Sequence, residues 1–401
     1  MLQELMSEKR LIVCAGSGGV GKTTVSAALA LSAALQGKKA LVVTIDPARR
    51  LANALGFEEF GNEEFEVDLS TLTCKGEPVT GQLFAMMLDQ KLTFDTLVER
   101  YAPDAGSAQR LMENRWYQQM SSALAGAQDY MAVEKLYEMA QERDYDLIVL
   151  DTPPTTNALD FLEAPQRLMD MLQLQPIQWF RKGVGGGGTA SRWLRWGGSS
   201  LIKALGRVVG GEVVEELSTL LQDMSILYDG FKERAGEMWG LLRSDECGFF
   251  LVSAPNRSAL KEALFFHHKL LESGMPFSGI WLNRVRGFYQ DKHTWSALPQ
   301  QFSRPDEEAL EVLAKEICQD GESLEDTVVL LRDMSRHFGL EFQEVEQARK
   351  EVVFLREQLG EEPFIGLLPL IQEELHELAG LAHVGQLLLD DGVGPLLDEA
   401  M

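Results

Sequence analysis

Eight consecutive residues, Gly16-Ser17-Gly18-Gly19-Val20-Gly21-Lys22-Thr23, satisfy the spacing G-x-x-x-x-G-K-[ST]. Glycines at these positions let backbone N–H groups converge on phosphate oxygens, and a helix beginning at Lys22 adds the positive end of its dipole. The chemistry implied is capture of a nucleoside triphosphate, read here as ATP. In this pattern Lys22 reaches the β- and γ-phosphates, the Thr23 hydroxyl ligates Mg²⁺ and Thr24 touches the α-phosphate. Two acids extend the set. Asp151 closes the apolar run Leu147-Ile148-Val149-Leu150 and is followed by Thr152-Pro153-Pro154-Thr155; an acid at such a strand end holds the Mg²⁺ ion through a water. Asp46, in Thr44-Ile45-Asp46-Pro47-Ala48, falls above the γ-phosphate, where a carboxylate orients or deprotonates the attacking water. A purely structural role for Asp46 stays open on these grounds.

Residues with such roles need strands that stop beside the loop. Short apolar runs recur at Leu11 to Ala15, Ala40 to Ile45, Leu83 to Leu88, Leu147 to Leu150, Phe249 to Val252, Ile280 to Leu282 and Phe364 to Leu368. Most are separated by helical patterns, beginning with Thr23 to Gln36. Runs apolar on both faces imply a parallel sheet covered by helices on each side. The expected fold is therefore α/β, a doubly wound, mainly parallel P-loop sheet with its ligand at the carboxyl ends of the strands. One nucleotide-binding domain spans residues 1–401. Residues 90–146 and 160–243 form a helical insertion that includes the glycine run Gly183 to Gly188, and residues 288–362 form a charged helical insert.

Composition narrows the function classes. Lys plus Arg total 37 against 61 Asp plus Glu, a formal charge of −24. Such a chain is poorly suited to tracking nucleic-acid phosphates or anionic membranes, so no nucleic-acid partner is expected. Cys14, Cys74, Cys247 and Cys318 are widely spaced and give neither a disulfide framework nor a zinc spacing. With an acidic start, MLQELMSEKR, and no run approaching the ~20 apolar residues of a membrane span, the expected setting is cytoplasmic.

The loop GSGGVGKTT, the strand end TIDPARRLANALG and the segment LDTPPTTNALDFLEAP together resemble the ATPases of the arsenite-pump (ArsA) and tail-anchored-protein-targeting family, within the deviant Walker, MinD-like class. The resemblance implies an Mg²⁺-dependent ATPase that works as a dimer. It places Asn283, in Trp281-Leu282-Asn283-Arg284, and Pro369, in Leu368-Pro369-Leu370, at adenine-binding positions: Asn283 reads the base and Pro369 packs on the ring. Three departures stand out. Where the family has a signature lysine that reaches the partner's nucleotide, this chain has Ser17; Arg49 and Arg50 are possible substitutes for that charge. Asn157 replaces a histidine of the switch segment. The paired cysteines that hold zinc between subunits in some members are missing, so no zinc site is expected.

The resemblance also frames what the nucleotide drives. In the targeting branch, helical insertions build a Met-rich groove for an apolar client helix, and Gln90 to Arg243 occupies the matching place. Eight of the 15 Met and five of the seven Trp lie between Met112 and Trp239. Such residues serve either a groove that repacks around varied clients or an ordinary core; Leu168, Met169, Met171, Leu172, Trp179 and Phe180 are the groove candidates. The expected function is a dimeric ATP-hydrolysing switch that handles an apolar client or a membrane-protein partner. Alternatives are an arsenite- or anion-pump ATPase subunit, and a nucleotide-gated scaffold with little hydrolysis. Ser17 raises a heterodimer, with a paralogue that keeps the signature lysine, beside the homodimer.

Overall fold

A computed structural model describes residues 2–45, 50–55, 63–74, 77–88, 90–102, 104–114, 117–118, 127–153, 163–164, 166, 170, 232–285, 307–318, 323–360, 363–371 and 378–389. Among these described residues the strands are β1 (Leu11–Gly16), β2 (Lys39–Thr44), β3 (Phe65–Val67), β4 (Thr73–Cys74), β5 (Glu77–Pro78), β6 (Gln82–Met87), β7 (Leu147–Asp151), β8 (Cys247–Ser253), β9 (Phe277–Val285) and β10 (Phe364–Pro369). Eight form one sheet in the order β10-β9-β8-β1-β7-β2-β6-β3. The seven runs anticipated from the sequence are its seven parallel strands. The periodicity did not announce β3, a three-residue antiparallel edge strand against β6, nor the two-residue pair β4 and β5. Strands that short carry too few alternating positions to register as a pattern.

The chain moves outward from β1 to β2 and β6, returns to insert β7 beside β1, and then crosses to β8, β9 and β10 on the other side. Winding reverses around β1, and open parallel sheets bind ligands beyond the carboxyl ends of the strands at such a point. Alternation along the strands feeds two cores. Leu11, Val13, Leu41, Val43, Ile148, Leu150, Phe249 and Leu251 face one, while Ile12, Cys14, Val42, Val149, Phe250 and Val252 face the other.

The second core is closed by helix α2 (Lys22–Leu35), and by α10 (Leu378–Leu389) packed on it. Helix α2 is alanine-rich and buried along most of its length because it lies between sheet and helix. Its Ser32 and Ala28 face Gly385 of α10 so closely that a Cβ at Gly385 would overlap the Ser32 hydroxyl. The first core takes side chains from α4 (Gln90–Tyr101), α5 (Ala105–Glu113), α6 (Ala127–Glu142), helical residues 232–242 and α7 (Arg257–Glu272). Short helices α1 (Leu2–Glu8) and α3 (Arg50–Leu55) complete the nucleotide-binding part. Between β9 and β10 stand α8 (Glu307–Ile317) and α9 (Leu324–Leu359). Helix α9 starts on a Ser323 cap whose side chain accepts from Asp326 N–H. Its far half joins the first core through Ala348, Val352 and Leu355.

Candidate functional site

Strand β1 runs into the glycine loop, and α2 starts at Lys22 immediately after it. Two of the glycines are required by the backbone. A Cβ at Gly16 would overlap the Val252 carbonyl oxygen of β8, and Gly21 has φ +94 and would place a Cβ on the Asn283 amide nitrogen. Residues Gly18, Gly19 and Val20 form the turn between them, with Gly19 at φ +76. The Lys22 ammonium donates to the Ser17 carbonyl oxygen at 2.9 Å, so it bridges the loop from the helix side. Thr24 lies in the same first turn.

Sheet register brings Asp151 in beside the glycine loop. Asp151 pairs with Cys14 on β1 and with Thr44 on β2. Its buried carboxylate accepts from the Thr23 hydroxyl at 2.7 Å and from the Thr44 hydroxyl at 3.1 Å, both on Oδ2. Thr152 anchors the strand end by donating to the Cys14 carbonyl oxygen at 2.9 Å. Mg²⁺ takes hard oxygen donors and is held by one or two carboxylates together with waters and substrate phosphates. The Thr23 hydroxyl touching the Asp151 carboxylate is an oxygen donor set that fits that ion.

Asn283 and Pro369 also arrive at this end of the sheet, on neighbouring strands: Pro369 pairs with Val285, two residues beyond Asn283. The Asn283 amide donates to the Val20 carbonyl oxygen at 2.8 Å, and its Oδ1 accepts from Arg284 N–H at 2.9 Å. Arg284 adopts φ +62 to make that contact, a left-handed conformation that costs free energy in a non-glycine residue. Asn283 is thus tied to the phosphate loop itself, a connection that spans 263 residues of sequence.

Sequence reasoning passed over three participants. Thr44 has a strand-end signal, and its hydroxyl shares the Asp151 oxygen. Arg284 has none, because its φ is a tertiary outcome. Glu262, on α7, accepts from the Ser17 hydroxyl at 2.6 Å, and nothing in the sequence links positions 245 apart. Asp46, Arg49, Asn157 and the groove candidates Leu168, Met169, Met171, Leu172, Trp179 and Phe180 lie outside the described residues, as does the Arg50 side chain. Within the helical insertion, Met139 and Met238 are buried in the sheet's first core, with Met112 and Trp239 packed against it. These members of the Met and Trp set are core.

Two of the buried thiols lie apart. Cys14 faces the second core and Cys247 the first, on opposite sides of the sheet. Burial pushes each up to about 12, so neither is a ready thiolate. Among the described residues, no three His, Cys, Asp or Glu side chains are grouped to hold a metal ion.

The model of the family described as anion-transporting ATPase matches residues 9–294, most of the chain. Among curated proteins, ATPase GET3 of Malassezia globosa is 30% identical over 200 residues, 47% of this chain and 56% of that protein. ATPase get3 of Aspergillus terreus is 32% identical over 172 residues, 41% of this chain and 46% of that protein. The ATPase ASNA1 homolog of Entamoeba dispar is 31% identical over 179 residues, 43% of this chain and 51% of that protein. The chain spans about half the length of the curated relatives it matches.

Proposed function

Because the chain belongs to the anion-transporting ATPase family, we propose that it is an Mg²⁺-dependent ATPase acting as a cytoplasmic, dimeric switch that handles an apolar client helix or a membrane-protein partner. The observation that carries the reading is the cluster of Lys22, Thr23 and Asp151 around the glycine loop. Lys22 exchanges the Ser17 carbonyl for phosphate oxygens and neutralises charge developing on them. Thr23 and Asp151 would hold Mg²⁺, which when bound would supply electrostatic stabilisation of the transferring phosphoryl group. Asp46 positions the attacking water and accepts its proton. Asn283 and Pro369 take the adenine. The loops after Asp46 and Asp151 change arrangement when the γ-phosphate leaves, which converts hydrolysis into a change of shape. No helix among the described residues is long and apolar enough to cross a membrane.

An arsenite-pump subunit has less to rest on, since Cys14 and Cys247 face away from each other across the sheet. The partner question turns on one contact. Ser17 supplies no cation and its hydroxyl is engaged by Glu262 of the same chain, which favours a second chain bringing the positive charge. The test is ATP turnover by the purified chain, alone and with a paralogue that has lysine at the Ser17 position. The reading predicts slow turnover alone, stimulation by the paralogue, and loss of both with Asp46→Asn. Brisk turnover that ignores the paralogue overturns the heterodimer, and turnover that survives Lys22→Ala overturns the ATPase site.

A further inference from the structure

Helix α9 divides along its length. Its far half is packed into the first core, whereas Val329, Leu330, Met334 and Leu340 stand 47%, 60%, 52% and 55% exposed. They recur with Asp326 and Asp333 at helical spacing, on the side away from buried Ser335. This is a stripe that mixes apolar and acidic side chains and faces solvent. The surroundings add to its sign: residues 307–340 contain three Lys or Arg and nine Asp or Glu, 3 − 9 = −6. The whole of this region lies beyond the family match, which ends at residue 294, so the nucleotide site does not account for it.

The complement is found in the same chain. Residues 181–211 carry six basic side chains, Arg181, Lys182, Arg192, Arg195, Lys203 and Arg207, and no acid. The chain's total is −24, so the remainder carries −24 − 6 = −30. Within the stretch, Leu201, Ile202, Leu205, Val208 and Val209 fall on one side of a helical register, with Lys203 and Arg207 on the other.

We propose that the exposed stripe of α9, centred on Leu330 and Met334, is the docking site for residues 199–209 of this chain. Apolar side chains meet apolar side chains, and the basic residues enter an acidic field within the roughly 8–10 Å over which charges act at moderate salt. The same charges disfavour the other occupants. Two copies of the stripe would bring −6 against −6, and an anionic lipid surface would repel the −30 remainder.

The test is a labelled peptide of residues 199–211 titrated onto the full-length protein. The unaltered chain, already occupied by its own segment at an effective concentration in the millimolar range, is expected to bind the peptide at least about tenfold more weakly than the Lys203→Glu/Arg207→Glu protein. Adding Leu330→Asp/Met334→Asp to that variant should abolish the gain, and raised salt should weaken it. Equal binding to all three proteins overturns the proposal. So does peptide that partitions onto phosphatidylserine vesicles but binds none of the proteins, or a Leu330→Asp/Met334→Asp change that turns a dimer into a monomer without altering peptide binding. A second measurement needs no charged substitution: Leu205→Cys with Leu330→Cys, in a Cys318→Ser background, should oxidise to an intramolecular disulfide that shifts gel mobility. Its failure to form, with each single cysteine reactive to a thiol reagent, counts against docking.

Discussion

Ser17 stands where the proposed mechanism most needs a cation, and its hydroxyl is held by a carboxylate instead. That geometry makes the outcome of restoring a lysine conditional on Glu262. A lysine in Ser17→Lys has its ammonium drawn back toward Glu262, so the single variant is expected to gain little turnover, whereas Ser17→Lys/Glu262→Gln frees the charge and should exceed it several-fold. Steady-state ATPase assays of the two variants check this. At the loop itself, Lys22→Ala removes a donor aimed at developing phosphate charge, and the loss of such a donor costs on the order of 10²- to 10³-fold in kcat. Asp151→Asn leaves the Thr23 contact possible through its amide oxygen but removes a negative charge behind the metal, so the expected signature is a raised Mg²⁺ requirement, read by titrating Mg²⁺ at fixed ATP.

Helix packing around the first core carries its own predictions. Glu134 on α6 is buried and accepts from Arg234 of helical residues 232–242 at 2.6 and 2.9 Å. Breaking a buried pair from one side costs about 3–5 kcal/mol because the other charge stays desolvated. Arg234→Met should therefore lower stability by about 3 kcal/mol, at the low end because the arginine is partly exposed. Burial outweighs the arginine and raises the Glu134 carboxyl above the usual glutamate value of 4.5. A raised carboxyl binds its proton more readily in the folded chain than in the unfolded one. Its contribution to stability is therefore complete below about pH 4.5 and is lost as pH rises through the raised value. Glu134→Gln removes that slope, and chemical denaturation at pH 4 to 7 should show a flatter profile than the unaltered protein. Elsewhere, α9 is fastened to α7 by Arg257, which lies 3.5 Å over the Phe354 ring and 3.1 Å from the Glu351 carboxylate. Since α7 also holds Glu262 against Ser17, the helix beyond the family match and the phosphate loop share one intermediate element.

For the molecule as a whole, charge and ligand set the measurable behaviour. Two copies of this chain, each at −24, repel, so any pairing of the chain with itself should strengthen as salt rises from about 0.01 to 0.15 M and the screening length falls from ~30 to ~8 Å; sedimentation at several salt concentrations reads this. The motifs were legible because they are local: Gly16 to Thr23 is contiguous, and Asp151 closes an uninterrupted apolar strand. The parallel sheet was legible for a related reason, since strands buried on both faces must be apolar throughout. Contacts between distant residues left no trace of that kind. Ser17 to Glu262 and Asn283 to Val20 join positions 245 and 263 apart, and each is made by common polar residues whose identity does not specify a partner. The edge strand β3 was too short to show a period, and the Met and Trp enrichment left groove and core both open until burial put Met139 and Met238 in the core. Sequence by itself determined the glycine loop, Asp151 at the end of its strand and the class of sheet, because local spacing and periodicity suffice for them. Only the tertiary structure decided what touches Ser17, where Asn283 directs its amide and which half of α9 stays in water, because those depend on how separate elements are brought side by side.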